Sequence, residues 1–235
     1  MARDGWGRSI DYLRLSVTDR CNFRCAYCLP ASFAGFAERA ATLDDAELAR
    51  AAAAFAGQGF TRLRLTGGEP LVRPGIVALT RRLAGVPGIR DLSMSTNGAL
   101  LAPLARGLAR AGLRRVNISL DTLDAGRFKA LTRFGDLAAV LKGLEAAAAA
   151  GLGPVKLNVV VVRGLNDDEI PAFADLTVRR ALHVRFIELM PMGAAGFYRD
   201  SRRVPLAEMR SACPALEPVP PGAGPEGGGP ARVYR

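Results

Sequence analysis

The sequence predicts an α/β fold, a partial barrel of six βα units open on one side. Three observations predict it. Six strand-like stretches recur along the 235 residues, with helix-forming segments between most of them. Apolar and polar residues alternate within the strands, as they do when the two faces meet different surroundings. Glycines, cysteines and hydroxyl or amide side chains gather just after the strands, at the end where α/β folds place their chemistry.

The first strand, "DYLRLSVT", puts Leu13, Leu15 and Val17 on one face and Tyr12, Arg14, Ser16 and Thr18 on the other. An amphipathic segment, "TLDDAELARAAAAFAGQGF", follows, and Thr42 with Asp45 three positions on resembles a capping box at its start. In the second strand, "FTRLRLTGGEP", Leu63 and Leu65 oppose Arg62, Arg64 and Thr66. The third, "DLSMSTNG", leads into the helix-forming "LAPLARGLARAGL". In the fourth, "RRVNISLDT", Val116, Ile118 and Leu120 oppose Asn117, Ser119 and Asp121. In the fifth, "PVKLNVVVV", Val155, Leu157 and Val159 oppose Lys156 and Asn158. The sixth, "HVRFIELMP", mixes polar and apolar residues on both faces, so its inward face stays open.

Helices between strands imply parallel pairing with right-handed crossovers. If the apolar faces pack on the helices, the polar faces line the inside. A dry interior lined with arginine and lysine would carry a heavy desolvation cost, so the lumen is expected to be wet or ligand-filled. A half-exposed antiparallel sheet also alternates, but the intervening helices weigh against it. The barrel is assigned to residues 1–215. Residues 216–235, ending in "PPGAGPEGGGPARVYR", read as a loose linker or tail.

Hydrophobic residues make up 49% of the chain, enough for a core without disulfide support. The N-terminus has no apolar signal-peptide core, and no run approaches the roughly 18 apolar residues of a membrane span. A cytoplasmic protein with no membrane partner is expected, and clustered cysteines in a reducing compartment point to metal or redox chemistry. The formal charge is +10, with only Lys129, Lys142 and Lys156 as lysines among 32 basic residues. The arginines are scattered and matched by an excess of alanine, which reads as solvated faces and not as a nucleic-acid interface. Their charge can still help to hold an anionic substrate.

Three of the four cysteines, Cys21, Cys25 and Cys28, form C-x₃-C-x₂-C directly after the first strand. A structural zinc site closes with four ligands. The fourth here would be His183 or Cys213, and neither has the paired spacing of zinc modules. An iron–sulfur cubane takes thiolates as its usual ligands, and three of them on four irons leave one iron free for a small molecule.

C-x₃-C-x₂-C joined to the Gly67-Gly68-Glu69-Pro70 turn resembles the radical S-adenosylmethionine (SAM) superfamily. "LRLSVTDRCNFRCAYCLP", "RLRLTGGEPLVR", "STNG", "VNISLDTLD", "VKLNVVVVRGLND" and "RFIELMPMG" together resemble its GTP 3′,8-cyclase family, which performs the first step of molybdopterin biosynthesis. The resemblance implies a TIM-like radical SAM barrel, a [4Fe-4S] cluster, SAM, GTP and an external electron donor. In that family the cluster cleaves SAM reductively, and the resulting radical takes the 3′ hydrogen of GTP before the ribose carbon attacks C8. Matched by motif, Cys21, Cys25 and Cys28 would ligate the cluster. Tyr27, Gly68, Ser119 and Met190 would contact SAM, and Arg14, Arg64, Ser95 and Lys156 would contact GTP.

The family carries a further stretch with three more cysteines, holding a second cluster that binds guanine, and the residues up to Arg235 contain no such stretch. The chain is therefore expected to bind one cluster and SAM but to cyclise GTP poorly alone, with a C-terminal fragment or a second copy covering the open edge. Two other classes stand beside this reading. One is a radical SAM enzyme acting on a peptide or another small molecule, against which the inward Arg14, Arg64 and Lys156 argue. The other is a zinc-binding, nucleic-acid-binding module, marked by zinc content and salt-steep binding.

Overall fold

The computed structural model describes residues 2–36, 42–193, 196–220, 223 and 231–235. Six strands form one parallel sheet: β1 (Tyr12–Ser16), β2 (Arg62–Thr66), β3 (Asp91–Thr96), β4 (Arg115–Ser119), β5 (Val155–Val161) and β6 (Leu182–Glu188). Spatial order follows chain order from β1 to β6, and the two ends do not pair, so the barrel is open between them. A short antiparallel pair, Ala2–Arg3 with Ser9–Ile10, precedes β1.

The helices are α1 (Asp45–Gly57), α2 (Ile76–Ala84), α3 (Leu101–Arg110), α4 (Ala125–Thr132), α5 (Leu137–Ala149), α6 (Ile170–Arg179) and α7 (Leu206–Ser211). Their apolar stripes cover the outer face of the sheet. Leu63, Leu65, Val116, Ile118 and Leu157 are fully buried there, with Leu79, Leu83, Leu108 and Val140 from the helices. This is the apolar half of the alternation. Its counterpart, the polar half, faces inward.

Helix starts follow local chemistry. The cap of α1 is not Thr42 with Asp45, as the sequence reading expects, but Asp44 with Glu47. The Asp44 carboxylate accepts the Glu47 N–H at 2.7 Å, and the Glu47 carboxylate accepts the Asp44 N–H at 2.8 Å. The acidic pair wins because both of its side chains reach orphan N–H groups and oppose the helix dipole. Asp124 and Asp136 cap α4 and α5 with a single bond each, accepting the N–H of Arg127 and of Ala138.

The sixth strand is resolved by its packing. Val184 and Phe186 sit against the core, and Phe186 meets Phe173 of α6 edge-on at 6.4 Å between ring centroids. His183 and Arg185 therefore turn inward, opposite Lys156 and Asn158 in register. Beyond β6, residues 217–219 run antiparallel to 233–235, with Glu217 and Arg235 exchanging two backbone bonds at 2.8 and 2.9 Å. Much of the Gly/Pro-rich tail, residues 221–222 and 224–230, lies outside the described residues. Among the described residues no helix is long and apolar enough to cross a membrane.

Candidate functional site

The cysteine loop is held on both sides by backbone. On the β2 side, Gly68 N–H donates to Thr18 O and Glu69 N–H to Arg20 O, both at 2.8 Å. The contact is close enough that a Cβ on Gly68 would lie 2.3 Å from Arg20 O and 2.5 Å from Asp19 O. Only glycine permits this approach. On the far side, Arg24 N–H donates to Thr132 O and Ala26 N–H to Leu131 O, at 3.1 and 2.8 Å. Arg133 then reaches back, its Nη1 donating to Arg24 O and Leu29 O, each at 2.8 Å. It is the one non-glycine residue at positive φ, +66°, among the described residues.

Glu69 is built into the same junction. It is buried, and its carboxylate accepts from Leu71 N–H, the Thr96 hydroxyl and Asn97 N–H at 2.6 to 2.9 Å. Asn97 in turn donates to Asn22 Oδ1 at 2.8 Å, joining the turn after β3 to the cysteine loop. Burial raises the Glu69 carboxyl above its usual range, and those three hydrogen bonds pull it back.

Cys21 and Cys25 are half-buried against the core and Cys28 is exposed. Burial raises all three thiols and pushes Cys25 up to about 12, with nearby Asp121 and the other two thiols adding to the rise. The three sulfurs thus lie within one another's field. Yet among the described residues no three His, Cys, Asp or Glu side chains converge closely enough to hold one metal ion. Thiolates are the usual protein ligands of a cubane, whereas a structural zinc closes with four protein ligands. Neither His183 nor Cys213 completes a zinc set: His183 sits in β6, and both line a groove of about 890 Å³ along that strand.

Below the loop the lumen is cationic. Arg64 lies half-buried with its guanidinium 5.1 Å from the Tyr12 ring centroid, and its Nε donates to Ser93 Oγ at 3.3 Å. Lys156 is only 3% exposed. Burial first, then Arg185, Arg115 and Arg64, lower the Lys156 ammonium. The inward acids are engaged elsewhere, Glu69 as above and Asp121 with Tyr27 and Val160, while Glu188 shares the outer face of β6 with Val184 and Phe186 and bonds Arg203 and Leu206. Ion pairs Arg62–Asp11 and Arg115–Asp91 neutralise the N-terminal ends of the strands. Among the described residues none of Arg14, Arg64, Lys156 and Arg185 forms an ion pair within 4 Å. An interior with repelling, unneutralised cations is organised for an anion.

The remaining residues chosen from the sequence fall around this space. Arg14, Ser95 and Ser119 take the inward face of β1, β3 and β4, and Met190 lies just past β6, half-exposed. Tyr27 turns in below the loop and donates to Asp121 Oδ2 at 2.6 Å. Sequence reasoning missed Arg185, Asn117 and the role of Asp121. Register with Lys156 and Asn158 is what exposes Arg185. Asn117 is fully buried on the inward face with both amide atoms unpartnered, and its place in the alternation was the available signal.

A family profile described as the radical SAM superfamily matches residues 15–177. A GTP 3′,8-cyclase of Pelotomaculum thermopropionicum is 50% identical over 234 residues, covering 99% of this chain and 72% of that protein. GTP 3′,8-cyclase 1 of Pseudomonas aeruginosa is 51% identical over 239 residues, covering 99% of this chain and 70% of that protein. Among solved structures, SuiB of Streptococcus suis bound to S-adenosylmethionine superposes with a TM-score of 0.70 at 16% identity, over 86% of this chain and 45% of SuiB. The hydrogenase maturase HydG gives 0.68 at 19% identity, over 86% of this chain and 47% of HydG. At those identities the two structures speak for the fold.

Proposed function

We propose a function from one premise: the chain belongs to the radical SAM superfamily and, within it, to the GTP 3′,8-cyclase family. It is a radical SAM enzyme that converts GTP to (8S)-3′,8-cyclo-7,8-dihydroguanosine 5′-triphosphate in molybdopterin biosynthesis. Its cofactors are a [4Fe-4S] cluster and SAM. When bound, they supply the carbon-centred radical that removes the 3′ hydrogen of GTP, given an electron from an external donor.

The chain's own residues do the rest by position. Cys21, Cys25 and Cys28 would hold the cluster at the rim. The backbones of Gly68 and Tyr27, with Ser119 and Met190, would place SAM between that rim and the lumen. Arg14, Arg64 and Lys156 would grip the triphosphate, with Ser95 beside them on β3 and Arg185 now added from β6. The observation that carries this reading is the set of cations on the inward face of one sheet with no carboxylate within ion-pair distance, in a fold whose first strand leads into the loop of Cys21, Cys25 and Cys28. Catalysis of this kind rests on orientation and exclusion of water more than on acid–base groups.

The test is anaerobic reconstitution followed by incubation with SAM, GTP and dithionite. About four irons per chain, with 5′-deoxyadenosine formed in a GTP-dependent way, is the expected result. Deoxyadenosine formed regardless of GTP would move the chain to another radical SAM substrate. One zinc and no iron would end the radical reading.

A further inference from the structure

The cysteine loop also rests on a residue that no role above uses. Tyr27 lies between Cys25 and Cys28, and its hydroxyl donates to Asp121 Oδ2 at 2.6 Å, a bond between residues 94 apart in the chain. Asp121, 5% exposed, follows the end of β4. Its other oxygen accepts Val160 N–H in β5 at 2.8 Å. Asn166, 1% exposed, donates to Asp121 O at 2.5 Å and to Val160 O at 2.9 Å, so the aspartate is itself fixed. From the other side, Gly193, at φ +90°, brings its backbone so close that a Cβ would lie 2.3 Å from Tyr27 O and 3.0 Å from Cys28 O.

We infer that Asp121 is a positioning residue for the cofactor loop: by accepting the Tyr27 hydroxyl it fixes the height and tilt of the segment between Cys25 and Cys28, and so the seat of SAM against the cluster. The inference rests on the reading of the site given above. A carboxylate suits this post because each of its oxygens meets a different donor. An asparagine could keep Val160 only by turning its NH₂ toward Tyr27, which replaces the short bond to a carboxylate with a weaker neutral one of reversed direction. In Tyr27→Phe the ring stays and the bond alone is removed.

The test compares the full chain with Tyr27→Phe, Asp121→Asn and the double variant, all reconstituted anaerobically. Three quantities are read: iron per chain, SAM affinity by equilibrium dialysis, and the change that SAM produces in the EPR spectrum of the reduced cluster. Iron content and GTP affinity are expected to stay at the wild-type level. SAM affinity is expected to fall about tenfold in each single variant, the scale of one buried hydrogen bond, with a smaller SAM-induced spectral change. The double variant is expected to be no worse than either single one, because both remove the same bond. SAM affinity within twofold of wild type in Tyr27→Phe would overturn the inference even if Asp121→Asn failed to fold, and additive losses would overturn it as well. A wild-type chain with a cluster but no spectral response to SAM would instead overturn the reading of the site on which it rests.

Discussion

Gly68→Ala tests the joint between the β2 turn and the cysteine loop. The added Cβ would meet three backbone atoms at 2.3 to 2.6 Å, whereas ordinary contact begins at 3.4 Å, so the two segments must part by about 1 Å. None of the three is a side chain that could swing aside. Parting stretches two backbone bonds of 2.8 Å, Gly68 N–H to Thr18 O and Glu69 N–H to Arg20 O. Overpacking of a tight site costs about 1–3 kcal/mol, and each bond lost contributes about 1 kcal/mol more. The expected destabilisation is therefore about 3–5 kcal/mol, large for a single methyl group. Urea unfolding of the cluster-free chain, followed by circular dichroism, measures it directly. Iron uptake by the folded fraction should fall as well, since residues 18–20 lead straight into Cys21. A urea midpoint indistinguishable from wild type, with normal iron uptake, would refute the claim that the glycine exists for this approach.

The chain's single histidine, His183, is a reporter of the lumen. Burial, then Lys156 and Arg185, hold its imidazole below the usual 6.5, so its contribution to stability is present above that value and is lost as pH falls through the lower folded midpoint. An NMR titration should place that midpoint below 6.5, and inorganic triphosphate should move it upward; a ligand-free midpoint at or above 6.5 contradicts the cationic lumen. Lys156→Met removes a buried ammonium from among like charges, so the ligand-free chain should withstand urea at least as well as wild type. GTP affinity of the same variant should drop about ten- to a hundredfold, the scale of a charge-assisted bond, and unchanged GTP binding would remove Lys156 from the site.

Much of this architecture was legible because period-2 alternation is a local signal. Leu63 and Leu65 against Arg62 and Arg64 already separate core from lumen, and the same holds for Val155 and Leu157 against Lys156. The cysteine spacing marks its own loop. Where the pattern mixes, as in β6, local reading fails: Arg185 is inward only because Val184 and Phe186 find α6, a contact between separate elements. The cap of α1 was misplaced by two residues because Thr42 and Asp44 both satisfy the sequence rule, and side-chain reach decides between them. The bond from Tyr27 to Asp121 leaves no trace in spacing at all. Pairings of that separation are a product of topology, visible only once the loop after β1 meets the end of β4.

The backbone clamp on the cysteine loop has a thermodynamic consequence. Thr18 and Arg20 are bonded to the β2 turn, Arg24 and Ala26 to the end of α4, and Arg133 spans two loop carbonyls. None of these bonds involves sulfur or metal. In small zinc modules the metal supplies the folding energy, and chelators unfold them. Here bonds within the protein meet part of the loop's ordering entropy. Loading a cluster then draws its free energy of coordination into deprotonating three thiols, two of them half-buried, more than into shaping the chain around them.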